Sequence, residues 1–460
     1  MLAFWPHEVR AQVTETQEDV QETSLSFGLD AEVGFLSFEN EYGDGERFLS
    51  SVLAPTFERG LWSGGLRFRF RWNQRGLRDE DYDENADYLA ILRFVQYSDK
   101  DEPGFYVRLG DIDRDQIGYG QFINQYRNTL SLDNPQTGMV LDRIEDRYKV
   151  ESLFSSFATP SVFGARVGFK PFLEDSSATR QSVAFGITIA GDVSDEARLE
   201  NPYRNGLPFF DGQAPIGADT LRLGSAVLES PLTMLGFDVS APVFLGGIDE
   251  LTAYAELGNI FGFGSGLGLG VEGVDRRGNW RIKGWLEQRL LGREYVPSYF
   301  NSIYERDRLR STTVTLADGT EVDAINTKRN RLYRRDEVEF GSYLGMEVRY
   351  TRHYRVRWSL EHSWTRDQSG WFEFDIRISD PDLPFQLRYV FDQVNMDGLG
   401  DILNGPPENA LHRLELAYLI RKHILVGFRF RQSFDTIENL GRTVGHRKQT
   451  HIEPAIIIRV

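Results

Sequence analysis

Residues 343–392 read YLGMEVRYTRHYRVRWSLEHSWTRDQSGWFEFDIRISDPDLPFQLRYVFD. Four strands joined by very short turns account for this run. In the first, Leu344, Met346, Val348 and Tyr350 alternate with Glu347 and Arg349; in the second, Tyr354, Val356, Trp358 and Leu360 alternate with Arg355, Arg357, Ser359 and Glu361. In the third, Phe372, Phe374, Ile376 and Ile378 alternate with Glu373, Asp375 and Arg377; in the fourth, Phe385, Leu387, Tyr389 and Phe391 alternate with Gln386, Arg388, Val390 and Asp392. Successive side chains of a strand point to opposite faces, so each strand has one apolar and one charged face. A half-buried sheet of a soluble protein alternates too. Here, however, the apolar face is almost wholly large aliphatic and aromatic, and the other face is crowded with Arg and acids. Lipid on one side and a wet lumen on the other satisfy both, which is the pattern of a transmembrane β-barrel.

Composition agrees with one large barrel. The 460 residues suffice for it, or for two or three soluble domains. No apolar run reaches the length of a helical membrane span without a charge. The mean hydropathy of −0.40 is no objection, because the inner face of a barrel is polar. A net charge of −17 argues against a nucleic-acid partner, which wants a basic stripe. It does not set the sign of the lumen, because acidic loops such as residues 79–87 (DEDYDENAD) can dominate the sum. With no cysteine, a disulfide framework and thiolate metal sites are excluded. Residues 1–24 read as a leader, either the remnant of a signal peptide or a disordered segment, with a flexible lead-in; residues 25–460 form a single barrel domain.

Twenty strand candidates follow in order, near residues 25–37, 46–58, 61–73, 86–98, 105–112, 137–145, 148–157, 162–171, 181–192, 232–243, 249–259, 265–274, 279–290, 338–351, 353–365, 370–379, 384–395, 409–420, 423–435 and 446–460. Loss of one early hairpin would leave eighteen. In transmembrane barrels short turns collect at one end and long loops at the other. The four longest connections, 113–136, 193–231, 291–337 and 396–408, all fall at the same parity, and every connection of the other parity is short. A soluble sandwich has no reason to sort loop lengths in this way. Tyr350 with Tyr354, and Trp364 with Trp371, flank turns at opposite ends, as interfacial aromatic girdles do. Gly262, Gly264, Gly266, Gly268 and Gly270 occupy alternate positions. They read either as a bend in the sheet, the preferred reading, or as a bare inner face against which a loop folds.

The last strand places Thr450, Ile452, Pro454, Ile456, Ile458 and Val460 at alternate positions up to the end of the sequence. This resembles the C-terminal signal of bacterial outer-membrane β-barrel proteins, with Val460 where an aromatic is usual. The resemblance, to porin-like members in particular, covers roughly residues 25–460. It implies a Gram-negative outer-membrane location, short periplasmic turns and long extracellular loops. It also implies a lipid bilayer with a lipopolysaccharide-type outer leaflet as surroundings, and barrel-assembly machinery as a partner during biogenesis. Small solutes are the implied cargo; a homo-oligomer or an envelope partner is left open.

The expected pore-lining residues are Arg67, Arg69, Arg71, Arg281, Lys283, Arg355, Arg357, Glu361, Glu373, Asp375, Arg377, Arg429 and Arg431. They would set a field for passing solutes, unless neighbouring strands pair Arg with acid and neutralise one another. Arg67, Arg69 and Arg71 have the fewest obvious partners and are the leading candidates for a selective wall. A barrel of this width leaves a channel or needs a plug. The loop at 113–136 is expected to fold inward as a constriction carrying Tyr119, Phe122, Asn124 and Tyr126. The loop at 291–337 could fold inward too, but reads better as a surface cap over the barrel mouth or a contact with a neighbouring molecule. Chemistry is otherwise thin. His362 lies near the outer rim with Ser359 and Ser363, yet reads better as a rim histidine than as a catalytic base. The acids at 79–87 and 111–115 read better as solvated loops than as calcium sites. No cofactor is implied. The expected function is a channel for small solutes with a charged lumen and inward-folded loops; the alternative is a structural or partner-binding barrel with a filled lumen.

Overall fold

A computed structural model of the protein describes residues 25–39, 45–100, 102–131, 136–173, 182–200, 227–228, 230–243, 246–315, 321–333, 337–351, 353–366, 369–380, 382–404, 409–421, 424–439 and 442–459. Twenty antiparallel strands close into one barrel. The first ten are β1 (Ser26–Glu39), β2 (Gly45–Arg59), β3 (Trp62–Leu66 and Phe68–Asn73, one strand in two pieces), β4 (Leu92–Tyr97), β5 (Gly104–Gly110), β6 (Gly138–Ile144), β7 (Tyr148–Phe154), β8 (Val162–Phe169), β9 (Ala184–Asp192) and β10 (Leu232–Pro242). The second ten are β11 (Glu250–Ile260), β12 (Ser265–Arg277), β13 (Trp280–Leu291), β14 (Glu339–Tyr350), β15 (Tyr354–Ser363), β16 (Gly370–Ile378), β17 (Phe385–Met396), β18 (Ala410–Arg421), β19 (Ile424–Asn439) and β20 (Arg442–Arg459). The seam runs from Asp30↔Arg459 to Gly34↔Ala455 and stops one residue short of Pro454, a residue with no N–H to give to a ladder.

The twenty expected segments correspond one to one with these strands. The fourth expectation began too early: residues 85–89 form a helical turn (Asn85–Leu89), and β4 starts at Leu92. Residues 1–24, most of the connection 193–231 and the turn residues Arg352 and Lys422 lie outside the described residues.

Burial is inverted relative to a soluble sheet. Phe35, Ile187, Phe237, Leu269, Val426 and Ile456 are exposed on the outside, whereas Glu151, Asp238, Glu256, Glu287 and Asp375 are buried within. Only hydrocarbon around the barrel makes such an outer face stable. Among the described residues no helix is long and apolar enough to cross a membrane. Strand length varies around the wall: β4 to β7 have six or seven residues, β19 and β20 sixteen and eighteen.

The aromatic girdle is only partly as expected. Tyr350 and Tyr354 meet at their turn, with ring centres 5.9 Å apart, and Trp364 is exposed. Trp371 instead has the inward phase of Glu373 and Asp375, and packs with Ile303, Val394 and Leu411.

Candidate functional site

Two long outer connections fold into the barrel and fill one side of it. From the loop after β5, Gln121 O accepts from Ser298 N–H (2.7 Å), Phe122 O accepts from Phe300 N–H (2.8 Å), and Asn124 N–H donates to Phe300 O (3.0 Å). Phe122, Ile123 and Tyr126 of this loop pack with Tyr299, Phe300 and Tyr304 of the loop after β13, and each is at most 1 % exposed. They rest on Leu232, Met234 and Ile260 of β10 and β11. The second loop, which in sequence reads better as a cap or a neighbour contact than as an inward fold, enters the lumen, because its aromatic run supplies the other half of an apolar core that neither loop could build alone.

The glycines explain how so much polypeptide fits. A Cβ at Gly266 would lie 2.3 Å from the Tyr295 ring, one at Gly164 2.3 Å from Ile123, and one at Gly236 2.8 Å from Phe122. Within the alternate series, Gly264 and Gly266 meet the loop at Arg293 and Tyr295, whereas Gly268 and Gly270 make room for Glu287 and Tyr254 of the wall and Gly262 takes a turn conformation at φ +82°. Replacing Gly266 with Val is expected to force Tyr295 out of its seat, at an overpacking cost of about 1–3 kcal/mol. Faster limited proteolysis within residues 292–304, with barrel heat-modifiability on gels unchanged, would show it.

Ionic contacts tie this plug to opposite walls. Arg114 pairs with Asp375 (2.9 Å) and Glu373, and Arg127 pairs with Asp392 (3.0 Å) and Glu373, all on β16 and β17. Ser302 donates to Asp392 (2.6 Å). On other sides, Tyr304 donates to Asp192 (2.7 Å), Asp115 pairs with Lys100, and Tyr119 stacks on Tyr254 with ring centres 3.8 Å apart. Burial pushes the Tyr119 phenol up to about 12. Burial, and then the Glu305 carboxylate beside it, hold the Tyr126 phenol well above its ordinary value.

The remaining side of the lumen holds a cavity of about 720 Å³. Thirteen cationic side chains line it against seven carboxylates, a formal charge of +6 in a chain whose total is −17. Of the thirteen expected pore residues, Arg67, Arg69, Arg71, Arg355, Arg377, Arg429 and Arg431 line this cavity. The other six do not. Glu373 and Asp375 are buried under Arg114 and Arg127; Arg357 lies over the Trp285 ring at 4.7 Å; Glu361 holds Arg289 (2.7 Å); Lys283 holds Glu272 (2.9 Å); Arg281 stands between Arg276 and Arg349 on neighbouring strands.

Tyr119, Phe122, Asn124 and Tyr126 anchor their loop, and the same loop meets the cavity through Asp113, Arg114, Asp115, Thr129 and Ser131. The ladder is not without partners: Arg67 pairs with Asp111 (3.0 Å) and Arg71 with Asp81 (3.0 Å). Both acids come from loops, where strand alternation gives no guide, and both belong to the acidic runs expected to be solvated. Among the described residues Arg93, Arg108, Arg377 and Arg431 line the cavity without an ion pair, although Arg108 donates to Gln96 and the Asp111 carbonyl and Arg431 to the Thr129 carbonyl. Arg93, Lys100, Arg108 and Arg114 were missed. The alternation around Arg93 and Arg108 carried a usable signal; the turn and loop positions of Lys100 and Arg114 carried none. His362 is held by Ser369 Oγ (3.2 Å) and the Asp397 carbonyl (3.2 Å) and stacks on Trp364, as a rim histidine would.

No protein-family profile matches this chain, and no curated protein does. Solved structures with a similar fold include the outer membrane protein OpdK of Pseudomonas aeruginosa, 7% identical with a TM-score of 0.29, covering 95% of this chain and 99% of that one. Another is OccAB2 of Acinetobacter baumannii, at 9% identity and a TM-score of 0.30, covering 95% and 98%. Wzi of Escherichia coli, a carbohydrate-binding barrel involved in capsule assembly, is 11% identical with a TM-score of 0.30, covering 94% and 84%. At these values the likeness assigns no solute to this chain.

Proposed function

We propose that this chain is a porin-like channel of the bacterial outer membrane, whose half-filled lumen passes small solutes along an arginine-rich wall and favours anions. The observation that carries this is the lining of the 720 Å³ cavity, thirteen cations against seven carboxylates. Fixed charges around a narrow aqueous path raise the local concentration of counter-ions and repel co-ions, without covalent chemistry. The plug narrows the path, and its ties to two walls hold it there. Purified barrel in planar bilayers under a potassium chloride gradient tests the reading. Conductance steps with a reversal potential displaced toward that of chloride are expected, and the displacement should shrink in 1 M salt, where screening acts over about 3 Å. A barrel that carries no current at any voltage refutes it.

A second reading is favoured by the plug itself. Buried ion pairs and a shared aromatic core across two loops suit a barrel built to stay closed, serving as a structural or partner-binding element of the envelope. Absence of conductance together with a stoichiometric co-purifying partner would select it.

A further inference from the structure

The hydrogen-bond ladder of the wall is broken at one place beside the arginine ladder. On the side of β3 that faces β4, Arg67 N–H donates to Ile91 O (2.7 Å), and Arg78 N–H donates to Arg71 O (2.7 Å). Between those bonds, three residues of β3 (Phe68, Arg69 and Phe70) face twelve residues, 79–90, that leave the sheet. The backbone of Arg69 finds no strand there. Its N–H donates to the Tyr82 hydroxyl (3.0 Å), and that hydroxyl donates back to Arg69 O (2.6 Å). One phenol thus stands in for a missing piece of strand, across a break of about 13 Å.

The break lies at the depth of the apolar belt. In register, Val33, Ser51 and Phe70 form one row and Phe35, Leu49 and Trp72 the next, and Val33 and Phe35 are exposed on the outer face. Irregular backbone persists at that depth only where protein buries it or a water-filled cavity lies behind it. Both conditions hold. A void of about 20 Å³ lies between Asp81, Tyr82, Asp87, Ala90, Ile91 and Arg67, Arg69 and Arg71, and the same three arginines line the large cavity. On the outer side the Tyr82 ring lies 6.4 Å from Phe70 and 6.0 Å from Tyr88, and Tyr88 and Leu89 are exposed.

A path through the break therefore passes from an apolar surface to guanidinium groups within the thickness of one strand. We propose that this break is a lateral portal closed by residues 79–90, and that it admits a single-chain amphiphilic anion, head group on the Arg67–Arg69–Arg71 ladder and tail toward the bilayer. This goes beyond the axial passage of small solutes. The closing segment is held by the ladder itself: Asp81 accepts from Arg71 (3.0 Å) and Arg78 (3.1 Å). An incoming sulfonate or carboxylate competes with Asp81 for Arg71, and so unlatches the segment it must displace.

The test uses the full chain in lipid nanodiscs and a decyl sulfonate bearing a terminal diazirine. After photolysis, peptides spanning 68–72 and 77–90 are expected to carry severalfold more label than the belt at Phe237, Leu257 and Leu269. The chain has no cysteine, so a pair at Phe70→Cys and Tyr82→Cys can be joined by a short bifunctional thiol reagent. Joining the pair should reduce the excess to the level of the far belt, relative to the same pair left open. Tyr82→Phe, which removes only the hydroxyl, should raise it. Equal labelling of both regions, an excess indifferent to joining, or no effect of Tyr82→Phe would each overturn the portal. The read-out needs no current, so a non-conducting barrel would refute the axial channel and leave this result standing.

Discussion

Replacing Glu373 with Gln and Asp392 with Asn together is expected to release the plug and raise single-channel conductance severalfold. These two carboxylates receive Arg127, and Glu373 also receives Arg114, from the opposite side of the lumen. Glu373, Asp392 and Arg127 are more than nine-tenths buried, and Arg114 is 12% exposed. Removing one partner of a buried pair leaves a charge without compensation, which costs about 3–5 kcal/mol. That strain falls on a loop whose remaining ties are the Arg114–Asp375, Asp113–Arg388 and Asp115–Lys100 pairs at its N-terminal end, hydrogen bonds and aromatic packing. A twenty-stranded barrel without its plug leaves an aqueous channel. Bilayer recordings of the double variant against the parent would show larger or noisier steps; identical steps would mean that those remaining ties, with the apolar core shared by Phe122, Tyr299 and Phe300, hold the plug.

Reversing the ladder, Arg67→Glu with Arg69→Glu and Arg71→Glu, is expected to abolish anion preference. Each reversal removes two charges, so three take the lining from +6 to zero. The measurement is the reversal potential in a salt gradient at about 0.1 M, where charges act over about 10 Å. Because Arg67 and Arg71 hold Asp111 and Asp81, the reversed set places like charges together and can hinder folding. The Gln series at the same three positions takes the lining to +3 and should give an intermediate potential. A potential unmoved in both series would remove the ladder from the selectivity of the lumen.

Much of the architecture was legible because a barrel strand declares itself locally. In 343–392 the sign of every second residue tells lipid from lumen, and the turns are too short to hide a strand. Trp371 shows the limit of position alone: flanking a turn made it look like a girdle residue, whereas its phase with Glu373 put it inside. The candidate site was legible in part. Arg355, Arg377, Arg429 and Arg431 follow from alternation and do face the cavity, yet Glu373 and Asp375 follow from the same alternation and do not. What separates them is which loop lies over them.

The chain's period-two alternation by itself determined the lipid and lumen faces of each strand, because that depends on neighbours two residues apart; with the sorting of loop lengths by parity it pointed to a transmembrane barrel of about twenty strands, with eighteen as the alternative. Tertiary structure alone decided that two loops share the lumen, that Arg127 neutralises Glu373 across 246 residues of sequence, that Arg431 reaches the Thr129 carbonyl across 302, and that Tyr82 closes the wall beside Arg69. Such contacts are set by where a loop comes to rest inside a cylinder, and an irregular loop carries no repeating pattern from which its resting place can be inferred.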